Sequence, residues 1–336
     1  MAPNMVEAYQ IHPKSSSHDE YDPSILSNLS LQTIPKPQPG PKSALVRLRA
    51  ASLNFRDLLI IADTPKYPIP KAPGLTPCSD GAGEIEAVGP GSEWKVGDKV
   101  ILQPNHSWSD SEDVAEFKME KALGGVNMQG TLQQYLVVED KWLNRMPKSL
   151  SFEEAAALPT AGGTAINALY HSRLLGPKGE RSLEGKTVVT QGTGGVSCFA
   201  IQLASAAGAR VIATSSTEEK LKAAKAMGAT DLINYKVTPE WARAILQLTG
   251  GKGADLVVEV GGAGTIEQSL MAARQGGTIV VIGILTASKQ MDLVPAILYG
   301  AKTGMSFPRE LIDSAMLTSI SDGSFGMQQS HDGRAG

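Results

Sequence analysis

Cysteine is nearly absent: the 336 residues hold only Cys78 and Cys198. Two cysteines exclude a disulfide framework and fit a reducing compartment. An excess of charge is missing too. The chain carries 31 Lys and Arg against 34 Asp and Glu, a formal net charge of −3, so neither a nucleic-acid nor an anionic-membrane footprint is expected. No apolar run approaches the roughly 18–20 residues that span a bilayer. The opening MAPNMVEAYQIHP lacks the basic-then-apolar layout of a signal peptide. A cytoplasmic protein acting on a small molecule is the expectation. The sequons Asn28-Leu29-Ser30 and Asn105-His106-Ser107 are read as chance matches. What remains is ordinary core-forming material, 42% hydrophobic and 19% charged, at a length that favours two domains over one.

Residues 1–150 read as a β-rich, partly closed barrel. ALVRLRAASL (44–53), GAGEIEAVG (81–89) and the end of EWKVGDKVILQ (93–103) are strand-like, and DLLIIAD (57–63) is a short helix. The pattern changes at residue 151. Ser151 with Glu154 three positions on is a capping box, opening an Ala-rich helix expected to break at Pro159. From 186 onward short apolar runs alternate with helices: TVVTQ (187–191), RVIATS (210–215), DLINY (231–235), DLVVEV (255–260) and TIVVIGIL (278–285). Such alternation predicts a parallel, doubly wound sheet with both faces covered. In the first helix of this half, Val196, Phe199, Leu203 and Ala206 are expected to share the buried face, and Ser216 with Glu219 to cap the second. The domains are set at 1–150 and 151–303, followed by an atypical tail, 304–336.

The strongest local signal is Gly192-Thr193-Gly194-Gly195-Val196-Ser197, between a strand and its helix. Glycines let backbone approach a pyrophosphate, and a helix N-terminus offers it unpaired N–H groups. Ser197 replaces the usual third glycine. An NAD site generally has a carboxylate ending the second strand, to take the ribose 2′-OH. Here Ser215 stands there, Lys220 follows one turn into the helix, and Tyr235 ends the third strand. Hydroxyls and a cation suit a 2′-phosphate, so NADPH is expected over NADH. The plainer reading of Lys220 is a solvated helix face.

Together with SLNFRDLL (52–59), PGLTPCSDGAGEIEAVGPG (73–91), KVGDKV (95–100), LPTAGGTAINAL (158–169) and AMGATDLINY (226–235), these residues resemble the zinc-independent branch of the medium-chain dehydrogenase/reductase superfamily. The branch holds quinone-oxidoreductase-like and alcohol-dehydrogenase-like proteins, and the likeness runs from about residue 44 to about 300. It implies a GroES-like β-barrel substrate domain, a Rossmann domain and an active site between them. It places Asn54 near the nicotinamide ribose and Thr160 and Thr164 close to the nicotinamide. Gly261, Gly262 and the segment Gly283-Ile284-Leu285 would flank the nicotinamide half. A homodimer is typical of such relatives.

The same likeness makes metal an informative absence. Zinc-dependent relatives use Cys where this chain has Asn54 and His where it has Ser79, with Asp80 at the neighbouring acidic position. The stretch 104–130 lacks the four cysteines of their structural zinc lobe. No zinc is therefore expected. Without a Lewis acid, alcohol oxidation loses its main electrostatic support, whereas hydride addition to a conjugated C=C or a quinone makes a charge that neutral donors can stabilise. Tyr67 is the preferred donor, against a plain packed tyrosine; His106 is second, against an exposed loop histidine. Asp57 and Asp80 are expected to hold geometry. The alternatives are a metal-free alcohol/aldehyde dehydrogenase and an inactive nucleotide-binding isoform. The polar, Gly-rich 304–336 is read as an altered or truncated terminus, leaving a five-stranded sheet with an exposed edge.

Overall fold

The computed structural model describes residues 4–15, 17–65, 67, 70–107, 116–170 and 182–283, with the backbone alone of 171 and 302–305. These fall into two compact units divided between Ala161 and Gly162.

The first unit begins with an antiparallel hairpin, β1 (Met5–Ile11) against β2 (Leu29–Pro35). Neither strand stands out in the sequence, since apolar residues also fall on the exposed face, at Met5, Tyr9 and Leu31, opposite the buried Val6, Ala8 and Ile11. A 3-10 turn over Pro23–Asn28 separates them. The Asn28 amide is consumed there: its Oδ1 accepts from Lys14 and Ser15 N–H, and its Nδ2 donates to the Ile61 carbonyl. That first sequon is thus buried structure.

Next come β3 (Ser43–Ser52), the short helix α1 (Phe55–Ile61), β4 (Asp80–Val88), β5 (Lys99–Leu102), β6 (Tyr135–Glu139) and β7 (Leu143–Arg145). The five strands form one antiparallel sheet in the order β6-β3-β4-β5-β7. Among the described residues its ends, β6 and β7, do not pair, so hydrogen bonds do not close the expected barrel. Its core holds Val46, Ile85, Val100, Leu102 and Val138, and each full burial of this kind contributes about 1.5–3 kcal/mol.

The chain then runs from α2 (Phe152–Ala157) into α3 (Gly163–Ile166). Ser151 and Glu154 close the anticipated capping box. Pro159 does not break the helix. The backbone widens into a π turn over Leu158–Gly162, which removes the carbonyl clash that a proline makes in a regular α-turn.

The second unit is a six-stranded parallel sheet in the order β10-β9-β8-β11-β12-β13. In chain order these are β8 (Thr187–Gln191), β9 (Arg210–Ser215), β10 (Asp231–Asn234), β11 (Ala254–Glu259), β12 (Ala273–Val281) and β13 (Lys302–Met305). Helices α4 (Gly195–Ala206), α5 (Glu218–Ala226), α6 (Trp241–Leu248) and α7 (Ile266–Ala272) connect the first five. The strand order 3-2-1-4-5-6 is the dinucleotide-binding one, with its reversal between the first and fourth strands. β13 corrects the five-stranded expectation: Lys302–Met305 pairs in parallel with Thr278–Val281. Lys-Thr-Gly-Met has no apolar pattern to announce it, and main-chain pairing needs none. The rest of the segment read as an altered tail, 306–336, lies outside the described residues.

The buried face of α4 is Ser197, Ala200, Ile201, Leu203 and Ala204. Val196 and Phe199 are half-buried and Ala206 is exposed. Small residues let the helix lie close to the sheet, so size outweighs hydrophobicity in choosing the face. The cap of α5 is Thr217, whose hydroxyl accepts from Lys220 N–H, one residue later than the Ser216 expected.

Candidate active site

At the carboxyl end of β8 the chain turns through Gly192, whose φ of +68° is left-handed. Its N–H bonds to the Thr214 carbonyl at 2.7 Å. A Cβ on either Gly192 or Gly194 would meet nothing within 4 Å. The loop is therefore an open cradle leading into α4, whose first amides lack intrahelical acceptors. Gly194 is the helix N-cap, and Gly195 and Val196 open the helix. Ser197, in the third-glycine position, is buried and donates its hydroxyl to the Gln191 carbonyl at 2.7 Å. It preserves close helix–strand packing by bonding across it. These residues fit a dinucleotide pyrophosphate.

At the tip of β9, Ser215 is buried and pairs with Asn234 of β10. Its carbonyl accepts from Tyr235 N–H at 3.0 Å. Tyr235 and Lys220 are both exposed. The sheet thus sets Ser215 and Tyr235 side by side, with Lys220 on the helix that follows. The Glu218 carboxylate, in the first turn of that helix, accepts from Asn234 Nδ2 at 2.9 Å.

Across the sheet reversal from Gln191 stands Glu259, which nothing in the sequence singles out. It is fully buried at the end of β11. Its Oε1 accepts from Gly261 N–H, Gly262 N–H and Thr265 Oγ1 at 2.8, 2.9 and 2.6 Å. Its Oε2 accepts from Gln191 Nε2 at 2.6 Å and from Ser269 Oγ. Gln191 Oε1 in turn accepts from Val260 and Gly261 N–H, each at 3.2 Å. This network ties the Gly192 turn to the Gly261-Gly262 turn. Gly283 lies so close that a Cβ there would come within 1.8 Å of the Val260 carbonyl oxygen. Ile284 and Leu285 lie outside the described residues.

In the first unit Asn54 is the N-cap of α1, and its N–H donates to Asp57 Oδ2 at 2.8 Å. Its side chain lies beside the Asp80 carboxyl, short of hydrogen-bond geometry, which leaves Nδ2 buried without a partner. Asp80 and Ser79 have no exposure at all. Asp80 Oδ1 accepts from Ser79 Oγ at 2.7 Å and from Thr160 Oγ1 at 2.6 Å, and Oδ2 accepts from Thr160 N–H at 2.9 Å. Thr160, partly exposed, is thereby joined to residues about 80 positions earlier. Thr164 is buried on α3, in the second unit.

Burial pushes the Asp80 carboxyl up, against the hydrogen bonds from Thr160 and Ser79. Burial also pushes Asp57 up to about 6, with Arg56 opposing the rise. The Cys78 thiol is raised by burial and then by the Asp57 charge, so it stays protonated. Cys78 holds a left-handed φ of +74°.

Tyr67 sits apart from this group, in an apolar cluster with Ile11, Leu59, Ile60, Leu75 and Val126. Its Oη is buried without a partner. The neighbour it shares is Arg56: a Cβ on Gly125 would lie 2.7 Å from Arg56 Nη2 and 3.0 Å from Tyr67 Oη. His106 is not an exposed loop residue. It stacks on Trp142 with centroids 5.3 Å apart, and burial holds it down at about 4. A neutral imidazole at ordinary pH is a poor acid. Among the described residues no group of three or more His, Cys, Asp or Glu is arranged to hold a metal ion.

A six-stranded dinucleotide sheet with a glycine cradle, together with a separate antiparallel unit holding a buried polar cluster, defines a nicotinamide-dependent oxidoreductase. Sequence comparison makes this specific. The alcohol dehydrogenase GroES-like domain profile matches residues 40–148, and that of the zinc-binding dehydrogenases matches 195–309. A zinc-type alcohol dehydrogenase-like protein of Schizosaccharomyces pombe is 42% identical over 284 residues, 84% of this chain and 78% of its own. A quinone oxidoreductase of Pseudomonas aeruginosa is 34% identical over 249 residues, 73% of this chain and 66% of its own. A crystal structure from Sinorhizobium meliloti 1021, described as a candidate alcohol dehydrogenase, superposes with a TM-score of 0.81 at 32% identity, covering 96% of this chain and 89% of that one. Crotonyl-CoA reductases are also among the relatives. The chain belongs to the medium-chain dehydrogenase/reductase family and is an NAD(P)-dependent oxidoreductase.

Proposed function

We propose that this enzyme is an NADPH-dependent, zinc-independent reductase acting on an activated C=C, as in an enone or enoyl thioester, or on a quinone. The observation that carries the reading is the set of groups around Asp80. Where zinc-dependent relatives offer thiolate and imidazole, this chain offers the Asn54 amide and the Ser79 hydroxyl, with the Thr160 hydroxyl beside them. Such a set lacks the soft and nitrogen donors that hold zinc, and its partly exposed member, Thr160, carries a hydroxyl that can donate to a developing oxyanion. The bound dinucleotide supplies the hydride. Ser215, Lys220 and Tyr235, with no carboxylate ending β9, favour a 2′-phosphate. Relatives named quinone oxidoreductase and crotonyl-CoA reductase agree with the substrate class. Metal-free alcohol or aldehyde turnover is the second reading, favoured by the 42% identity to an alcohol dehydrogenase-like protein.

The test is NADPH and NADH oxidation over enones, quinones and aldehydes, with elemental analysis of the same sample. NADPH-linked enone or quinone turnover without bound zinc is the expected result. Stoichiometric zinc, or aldehydes as the only acceptors, would defeat the proposal. NADPH binding without any turnover would mark a nucleotide-binding isoform.

A further inference from the structure

Resting on that function, we infer that Thr160, Ser79 and Asp80 form a proton relay in which the Thr160 hydroxyl serves the substrate oxygen and Asp80 is the proton store behind it. Of the three side chains only Thr160 has any exposure. Thr160 is therefore the member of the three that a substrate can reach. The links behind it are short, 2.6 Å from Thr160 Oγ1 to Asp80 Oδ1 and 2.7 Å from Ser79 Oγ to the same oxygen.

Both end states keep Thr160, Ser79 and Asp80 joined by hydrogen bonds. With Asp80 as a carboxylate, it accepts from Ser79 Oγ, Thr160 Oγ1 and Thr160 N–H, as in the structure. With a proton on Oδ1, Asp80 donates to Thr160 Oγ1, Ser79 still donates to Oδ1, and the Thr160 proton is free to face a substrate oxygen. During reduction the hydride pair enters the acceptor carbon and the displaced electron pair collects on oxygen. An O–H bond forms there as the Thr160 O–H breaks. Thr160 regains a proton from Oδ1, leaving the carboxylate, which takes one from solvent by the reverse path after product leaves. The enol so released becomes the ketone in water.

The backbone is built to hold this geometry. Cys78, just before the pair, sits in a left-handed conformation that side chains with a Cβ rarely adopt. Thr131 N–H clamps its carbonyl at 2.9 Å. Gly124 and Gly130 press so close that a Cβ on either would stand 2.6 or 2.2 Å from Cys78 backbone atoms. Asp57, Cys78 and, through them, Arg56 are the charged or titratable groups near Asp80. An ionised Asp57 disfavours a second negative charge there, which suits a carboxyl that stores a proton.

The test compares wild type, Thr160→Val, Thr160→Ser and Asp80→Asn in steady-state enone reduction, in H2O and D2O, with NADPH affinity and melting followed separately. Thr160→Val is expected to lower kcat about 100-fold or more, the usual scale of general acid catalysis, with NADPH affinity and KM little changed. Thr160→Ser is expected to restore kcat and the solvent isotope effect. Asp80→Asn is expected to match Thr160→Val in kcat; should it fail to fold, the Thr160 pair decides alone. Enone turnover with kcat and solvent isotope effect unaltered in Thr160→Val would overturn the relay and leave the proposed function standing. A wild type inert toward every acceptor would overturn both.

Discussion

Replacing Glu259 by glutamine changes one atom in a fully buried network, so its cost can be worked out donor by donor. Glu259 accepts five hydrogen bonds, three on Oε1 and two on Oε2. A substituted amide that keeps its oxygen at the Oε1 position retains Gly261, Gly262 and Thr265. Its NH2 then faces the NH2 of Gln191, two donors where 2.6 Å separates donor from acceptor now. Gln191 cannot turn over, because its own oxygen holds Val260 and Gly261 N–H. The opposite orientation of the new amide sets its NH2 against two backbone donors and is worse. At least one buried donor loses its partner, which costs about 1–3 kcal/mol. Denaturant unfolding of Glu259→Gln should read that loss directly. NADPH affinity in a fluorescence titration should weaken too, since a shift of Gln191 moves its main-chain carbonyl, which accepts from Ser197 beneath the glycine cradle; about 1.4 kcal/mol of it would appear as a tenfold rise in Kd. Adding Gln191→Glu restores an acceptor opposite the new amide and should recover most of the stability, whereas Gln191→Glu alone sets two carboxylates together. A coupling energy of about 1–3 kcal/mol is expected between the two sites. Additive effects of the two substitutions would refute the network.

The Asp57 carboxyl, at about 6 when folded against an ordinary 3.8, binds its proton more tightly in the folded state. Its contribution is therefore fully present below pH 4 and is lost as pH rises through 6, about 3 kcal/mol at 1.36 kcal/mol per unit; the stabilities of wild type and Asp57→Asn should run together below pH 4, diverge between pH 4 and 6 and stay apart above 6 with the variant more stable, and a difference that does not change with pH would contradict this. Ser215→Asp puts a carboxylate where a 2′-phosphate is expected, so the Kd for NADPH should rise at least about tenfold, or 1.4 kcal/mol, with NADH affinity equal or better; an unchanged preference would move the 2′-phosphate elsewhere. Gly192→Ala must hold φ +68°, at about 1–2 kcal/mol, and unfolding titrations should show that loss even though nothing crowds the new methyl.

The parallel sheet is legible because its strands are continuous apolar runs and three of its helices, α4, α5 and α6, run into the left-handed glycines Gly208, Gly228 and Gly250. RVIATS and TVVTQ end where β9 and β8 end. The glycine cradle is legible because a left-handed turn admits few residues but glycine. What escapes are elements made by pairing alone. β1 and β2 alternate weakly and expose Met5, Tyr9 and Leu31, while β13 has four residues with no pattern at all. The Pro159 break fails for a related reason: sequence states the clash but not the π turn that relieves it.

Polar sites hide from sequence for a different cause. Ser79-Asp80 and Thr160 each look like ordinary turn or helix residues, and only folding brings an 80-residue separation down to 2.6 Å. The same holds for Gln191 and Glu259, 68 residues apart and joined at the sheet reversal. In both places a carboxylate with no exposed surface is answered wholly by neutral donors rather than by a cation. A buried carboxylate is tolerable only if each lone pair finds a donor, so the donors around it are as constrained as the acid itself. The two differ in one respect that decides their work. Every donor to Glu259 is spent within the fold, which makes it a frame for the glycine turns. One donor to Asp80, the Thr160 hydroxyl, belongs to a residue that keeps some exposure, and that asymmetry is what the proposed relay uses.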